Sequence, residues 1–456
     1  MMADGKRLKI AIIGTGVSGL SAAWLLSRAH EITVFEKDGR VGGHCNTLEK
    51  QFQGLDGEQT MAVDTGFIVY NERTYPNLTA LFKHIGVTTE DSTMSFSASL
   101  NGGNFEYSGS GLKGLFAQKR NLFRPRFWKM VRDIFRFYRK CVEDAKQPAN
   151  SKLSLGDYLN REGYSDGFLH DHIYPMASSI WSASVKEIRA YPLKAFVSFF
   201  ANHGLLETTR RLRPKWRTVT GGSKTYVERI ISEFRDRIRI NTVISHIERI
   251  ESGIRLTTEN GSTEEFDHVI IATHSNQALK MLSDPTAQEK HLLSSIRYTK
   301  NRAILHMDSA LMPRRERAWA SWNYISTEPE NDSRLVCLTY WMNSLQNIDK
   351  SFPIFVTLNP QRDPDSSRVI ETIDYEHPIF DQAALDAQEK LWELQGCNRT
   401  WYCGAYFGYG FHEDGLQSGL AVAEALSGLR RPWTVENESG RICIAGGHLP
   451  TYDTVA

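Results

Sequence analysis

The chain has 456 residues, more than one hydrophobic core usually serves, so two domains are expected. With 41% hydrophobic residues, 23% charged residues and a net charge of +1, it reads as an ordinary soluble globular protein, and nothing global favours a nucleic-acid partner. Its six cysteines are scattered without a C-x-x-C pair, which argues against disulfide or zinc frameworks and for a reducing, cytoplasmic setting. "MMADGKRLKI" is expected to run straight into a strand with no room for a signal peptide. No apolar run of about 18 residues is present to span a membrane.

The first element is predicted at Leu8 to Ile13, a β-branched run of the kind that forms a buried parallel strand. Gly14, Gly16 and Gly19 follow at G-x-G-x-x-G spacing, then an Ala/Leu-rich helix over Ser21 to Arg28, then a second strand, "EITVFEK", reaching Glu36. In that setting the glycines point to dinucleotide binding. Gly14 permits the tight turn, Gly16 lets the backbone approach a pyrophosphate, and Gly19 lets helix and strand pack closely. Backbone N–H groups at the helix start, near Ser18, would hold the phosphates. Glu36 is placed for a ribose hydroxyl, where an acid disfavours a 2′-phosphate, and Lys37 stands beside it. A glycine-rich turn in some other α/β fold is the bland alternative.

Directly after the second strand comes "DGRVGGHCNT". It resembles the R-x-G-G element of the flavin amine oxidase superfamily, which also includes phytoene desaturases and protoporphyrinogen oxidases. The resemblance implies that Arg40, Gly42 and Gly43 contact the pyrophosphate of FAD. His44 stands where the superfamily usually has Arg, which changes what faces the flavin.

Residues 118–140, "QKRNLFRPRFWKMVRDIFRFYRK", hold nine Lys/Arg against one acidic residue. Pro125 suits a first helical turn. Phe127, Val131, Ile134 and Tyr138 share one face, Trp128 and Phe135 lie beside them, and Arg126, Lys129, Arg132, Arg136 and Arg139 cover much of the rest. Two readings stand: an in-plane membrane helix, or an amphipathic helix whose apolar face covers the protein core.

Further on, "TVTGGSKTYVERI", the strand–turn–strand "INTVISHIERIESGIRLTTENG" and "FDHVIIATHSNQAL" resemble later parts of the same discontinuous FAD domain. On that likeness the Val243 backbone meets the adenine, and Thr273 lies near the cofactor. "GYGFHEDGLQSG" closes the series. His412, Glu413 and Asp414 would point about 100° apart on a helix, so they cannot chelate one metal together, and no metal is expected. The stretch resembles the superfamily's final motif, which implies Glu413 and Gly415 in an E-x-G element and N–H groups near Gly415 and Leu416 at the flavin's pyrimidine edge. Phe411 falls where amine oxidases carry an aromatic wall of the substrate cage. His412 either faces the flavin or caps the helix. Cys403 does not match a covalent flavin cysteine, so non-covalent FAD is expected.

These readings give an α/β fold: a Rossmann-like FAD-binding domain made of residues 1–75, 218–280 and 395–433, a mixed α+β substrate domain of 76–217 and 281–394, and a tail, 434–456, without a role. "MAVDTGFIVYNERTYPNL" and "GYGFHEDGL" further resemble FAD-binding proteins akin to the oxidase domain fused to plant cyclopropane fatty acid synthases. That likeness implies a fatty acyl substrate. The preferred expectation is hydride abstraction from an acyl chain, by desaturation or isomerisation, in a dry pocket lined by Phe67, Tyr70, Trp181 and Trp322, with His44 and His412 as candidates for proton transfer. A second is an amine oxidase releasing peroxide, with Lys300 as its lysine. A third is a flavin-bearing lipid-binding partner subunit without turnover of its own.

Overall fold

The computed structural model describes residues 7–54, 57–150, 152–207, 213–327 and 335–444. β1 (Lys9–Ile13) has Ile10, Ala11 and Ile12 wholly buried, because helices cover one face of its sheet and the antiparallel strands Ile244–Ile250, Gly253–Thr258 and Thr263–Phe266 pack on the other. It pairs in parallel with β2 (Glu31–Phe35) on one side and β3 (His268–Ile271) on the other. Ile238–Arg239 extends the sheet beyond β2, and Thr400–Tyr402 extends it beyond β3. Five parallel strands therefore come from three distant parts of the chain.

Between β1 and β2 lies α1 (Val17–Leu26), starting four residues before the predicted Ser21. Gly19, placed by the motif in the turn, is inside the helix. Every residue of α1 is buried, since the sheet covers one side and α4 (His412–Ser427) the other. A Cβ on Gly419 would sit 2.1 Å from the Ser18 carbonyl oxygen, so this contact of helix on helix requires glycine.

A second sheet of seven strands forms the roof over the cavity. Its order is β5 (Val369–Ile379), β4 (Arg297–His306), Phe355–Leu358, Leu338–Trp341, Trp322–Ile325, Phe96–Leu100 and Phe105–Ser108. All pairs are antiparallel except Trp322–Ile325 with Phe96–Leu100. Helices between residues 125 and 202 pack beside it around Phe137, Phe168, Phe196 and Phe200, with the Phe196 and Phe200 rings stacked at 4.2 Å. Each such buried ring contributes roughly 1.5–3 kcal/mol.

The basic helix predicted within 118–140 is α3 (Pro125–Lys146), with Pro125 in its first turn. Its apolar face points into the protein. Phe127, Met130, Phe137 and Cys141 are buried, while Val131, Ile134 and Tyr138 are half-buried against the same core. Trp128 and Phe135 stay outside, 46% and 47% exposed. Among the described residues no helix is long and apolar enough to cross a membrane.

Candidate flavin and substrate site

The glycine turn after β1 and the loop after β2 build one wall of a single large cavity. Gly14, at φ +103°, turns the chain, and its N–H donates to the Phe35 carbonyl at 2.8 Å. The Thr15 N–H donates to Glu36 Oε2 at 3.0 Å and its hydroxyl to the same oxygen, while Glu36 Oε1 accepts the Asp38 N–H at 3.0 Å. Glu36 thus fixes the turn from within, and its remaining lone pairs are what a ribose hydroxyl could use. A Cβ on Gly16 would meet nothing within 4 Å, whereas one on Gly43 would lie 3.0 Å from Gly16 Cα. The two glycine segments cross with no side chain between them. Arg40 braces the crossing by donating Nη2–H to the Gly43 carbonyl at 2.7 Å.

These features fit a dinucleotide diphosphate. The N-terminus of α1 has no side-chain cap, so its first N–H groups face open space beside Gly16, with Lys37 and Arg40 supplying positive charge to the same cavity. Gly14, Gly16, Ser18, Glu36, Val243 and Thr273 also line it. The Val243 carbonyl is already taken by the Glu259 N–H at 2.9 Å.

Other members of the predicted set lie elsewhere. Gly19 packs against β1, where a Cβ would stand 2.0 Å from the Gly14 carbonyl oxygen. Gly42 sits behind the wall, its N–H on the Thr15 carbonyl at 3.1 Å. Gly415 and Leu416 are inside α4; the Gly415 N–H is spent on the Phe411 carbonyl at 3.2 Å, and Leu416 is fully buried. Tyr70 faces the core, edge-on to Phe82 and Tyr75, and does not reach the cavity. Phe67, Trp181 and Trp322 do line it.

The run of His412, Glu413 and Asp414 diverges to three partners. Glu413 is buried against α2 (Pro76–His84), where its Oε1 accepts the Asn77 N–H at 3.0 Å and its Oε2 the Leu78 N–H at 3.0 Å. Asp414 accepts the Phe411 N–H at 2.7 Å and pairs with Arg441, whose Nε is 2.6 Å from Asp414 Oδ1. Burial raises both carboxyls above their ordinary range, against the pull of Arg441. The Phe411 residue, not His412, is the helix cap.

His412 instead stands at the cavity wall. Its ring stacks on Phe67 at 3.9 Å, and its Nε2 is 2.5 Å from the Tyr226 hydroxyl and 3.3 Å from Cys45 Sγ. Burial lowers its pKa to about 3, so the imidazole is neutral and Tyr226 can donate to Nε2. Phe411 also lines the cavity, stacked on Phe199 at 5.0 Å.

A second group of imidazoles gathers at the roof. The His44 ring lies 5.1 Å from Tyr375, 5.5 Å from His377 and 6.4 Å from His274. His44 Nε2 is buried with no hydrogen-bond partner among the described residues. Burial first, then His377 and His274, hold His44 well below the usual histidine range. Burial likewise takes His377 down to about 4. For His274, burial lowers the pKa, partly offset by Glu376 at 3.3 Å from Nδ1. His377 and Tyr375 carry no motif in the sequence; their place follows only from the register of β4 on β5, which sets Thr299 opposite His377.

The cavity measures about 2210 Å3, more than twice the upper end of the roughly 300–1,000 Å3 of small-ligand sites. It has room for a cofactor and a second molecule. Away from the glycine wall its lining is mixed: Tyr138, Met176, Ile180, Trp181 and Phe199 are aromatic or aliphatic, while Arg213, Lys300 and the acids of β5 bring charge to it. Trp181 Nε1, Trp322 Nε1 and the Tyr406 hydroxyl are buried there without a hydrogen-bond partner among the described residues.

The family model described as flavin containing amine oxidoreductase matches residues 17–342. A 4,4'-diapophytoene desaturase (4,4'-diaponeurosporene-forming) of Staphylococcus aureus is 54% identical over 44 residues, a stretch that spans 9% of this chain and 9% of the desaturase. Among solved structures, a protein assigned as a protoporphyrinogen oxidase from Exiguobacterium sp. 255-15 superposes with a TM-score of 0.65 at 20% identity, covering 92% of this chain and 99% of that one. A fatty acid isomerase from P. acnes that produces CLA gives 0.59 at 15% identity, covering 92% and 98%. At these identities the superpositions establish the shared fold.

Proposed function

The chain belongs to the family of flavin-containing amine oxidoreductases, and from that premise we propose that this flavin-dependent oxidoreductase binds FAD non-covalently and acts on an unsaturated or modified fatty acyl chain. Bound FAD supplies a two-electron acceptor for a hydride leaving an activated, allylic carbon. The chain's own part is to hold that carbon in place, exclude water and manage one proton. His44, neutral and with Nε2 unpaired at the wall, is suited to take the proton from a neighbouring carbon, which gives a desaturated product. The same cofactor would also support isomerisation in place of desaturation. His412, fixed by Phe67 and Tyr226, is the second proton-handling candidate. Non-covalent binding is supported by the lining, which includes no cysteine among the described residues; Cys403 is fully buried in the core.

The observation that carries this reading is the size of the cavity and the aromatic and aliphatic part of its lining, with Met176, Ile180, Trp181 and Phe199. A long uncharged chain fits there better than a compact polar one. Proposed contact with a membrane, through the region of residues 118–140, would bring such a chain to the site. The purified holoenzyme, kept free of oxygen, should lose its visible flavin colour when given unsaturated fatty acids or phospholipids carrying them. A flavin that stays oxidised with every such lipid overturns the proposal.

One observation favours a second reading. Glu371, Asp374 and Glu376 of β5 line the same cavity, and acidic groups there would attract a protonated amine. Peroxide release with simple amines or polyamines, and no reduction by lipids, would establish that alternative.

A further inference from the structure

Nine large apolar side chains are exposed among the described residues, and five of them, Leu112, Leu122, Phe123, Trp128 and Phe135, fall within 24 positions, from 112 to 135. Scattered exposed apolar residues need no explanation, but a cluster does. These belong together in space. The Trp128 indole N–H donates to the Leu122 carbonyl at 2.9 Å, and the Trp128 ring lies 5.9 Å from Phe116, in the same helical turn as Leu112. Phe135 follows two turns later along α3. Phe123, at the tip, is 86% exposed.

Beside this tip is a basin of about 730 Å3 lined by Lys119, Arg120, Arg314, Arg315 and Arg317, with Glu316 the single acid in its lining among the described residues. Glu106, fully buried, neutralises Arg315 at 2.7 Å. Arg120 donates to the Asn104 backbone carbonyl at 3.2 Å, which leaves its charge uncompensated by that contact. Lys119 and Arg120 belong to the same short turn, Lys119–Phe123, that carries Leu122 and Phe123. Cation and apolar tip therefore face outward from one element. The main cavity reaches the same place: Ser110 and Gly111, which lead into Leu112, line it, as does Tyr138, three residues beyond Phe135.

We infer that this face docks on an anionic phospholipid bilayer, with Leu122, Phe123 and Trp128 in the acyl layer and a headgroup phosphate in the Lys119–Arg120–Arg314–Arg317 basin. The apolar tip favours lipid over nucleic acid, since a phosphodiester backbone offers nothing to bury Phe123 against. The surface differs from the one predicted from sequence. The amphipathic face of α3 covers the core, and the docking face is the turn before it plus the two aromatics α3 leaves outside. An acyl chain would pass into the cavity beside Gly111 and Tyr138; that passage, unlike the docking, rests on the acyl-chain reading above.

The test uses the full-length holoenzyme and sedimentation with vesicles of phosphatidylcholine alone or with phosphatidylserine added. Binding is expected only with phosphatidylserine, and it should weaken as salt rises. L122S/F123S and, separately, R120E/R317E should each lower vesicle binding by about tenfold or more while FAD content stays at the parental level. A parent protein that ignores anionic vesicles, variants that bind like the parent, or binding to an oligonucleotide in place of vesicles would each overturn the inference. Flavin reduction by monomeric unsaturated fatty acid separates the two claims: reduction without vesicle binding removes the docking face alone, and vesicle binding without reduction by any lipid removes the acyl reading alone.

Discussion

Two glycines of one motif do different work. Gly16 faces open space, at φ −64° and ψ 173°, a backbone any residue adopts. Gly19 touches the Gly14 carbonyl so closely that a methyl group would stand 2.0 Å from its oxygen. Gly16→Val should therefore fold with a melting temperature near the parent's and emerge colourless, because its side chain fills the space a diphosphate would take. Gly19→Ala should lose stability itself, by a few kcal/mol, the scale of overpacking or more, since neither α1 nor β1 can retreat. Thermal unfolding read beside flavin absorbance distinguishes the two. A yellow Gly16→Val protein would move the diphosphate site elsewhere. Residues of this kind were legible in the sequence because local spacing dictates them. Gly14, Gly16 and the acid at Glu36 need only a strand, a turn and a second strand in register.

At the scale of elements, legibility fell where placement depends on distant packing. The spacing of His412, Glu413 and Asp414 gave their divergence but not their partners, which come from α2, the helix carrying Tyr226 and the tail. His377 and Tyr375 were missed because β5 offers no motif, only a pairing with β4. The tail, without a role in the sequence reading, supplies Arg441. Its side chain is 5% exposed, holds Asp414 at 2.6 Å and donates Nη1–H to the Thr74 carbonyl at 2.8 Å. Arg441 thus ties the start of α4, which carries Phe411 and His412, to the segment leading into α2. Arg441→Met should cost about 3–5 kcal/mol, the range for orphaning one partner of a buried pair. D414L/R441M should recover part of that loss, because no charge is then left buried. Equal losses in the single and double variants, measured by urea unfolding, would show that the pair does not act as a unit.

The whole molecule carries an unusual load of neutral imidazole. Burial lowers His412 and His203 to about 3 and His172, His306 and His377 to about 4. Unfolding returns each to the ordinary value near 6.5. Between those limits the unfolded chain binds more protons than the folded one, so this stability is complete above about pH 6.5 and drains as pH falls toward 3–4. Asp64 acts in the opposite sense. Burial lifts it to about 6 despite the Thr47 and Ser223 hydrogen bonds, so the folded state holds its proton between about 4 and 6 and loses that advantage as pH rises. Glu413 and Asp414, raised by burial, act in the same direction as Asp64. The five histidines outnumber these three acids, and the balance predicts a protein that weakens below neutrality. The urea midpoint at pH 5 should fall clearly below that at pH 7.5, with net proton uptake on unfolding. The cavity adds a further consequence. His412 and His377 line it, and with values of about 3 and about 4 they stay neutral in the folded protein at pH 5 as at pH 7.5, so FAD retention by the folded protein should not differ between the two pH values on their account. A midpoint unchanged between the two pH values would mean that the buried imidazoles reach water or an acid partner in the folded state, and the dry, neutral cavity would go with them.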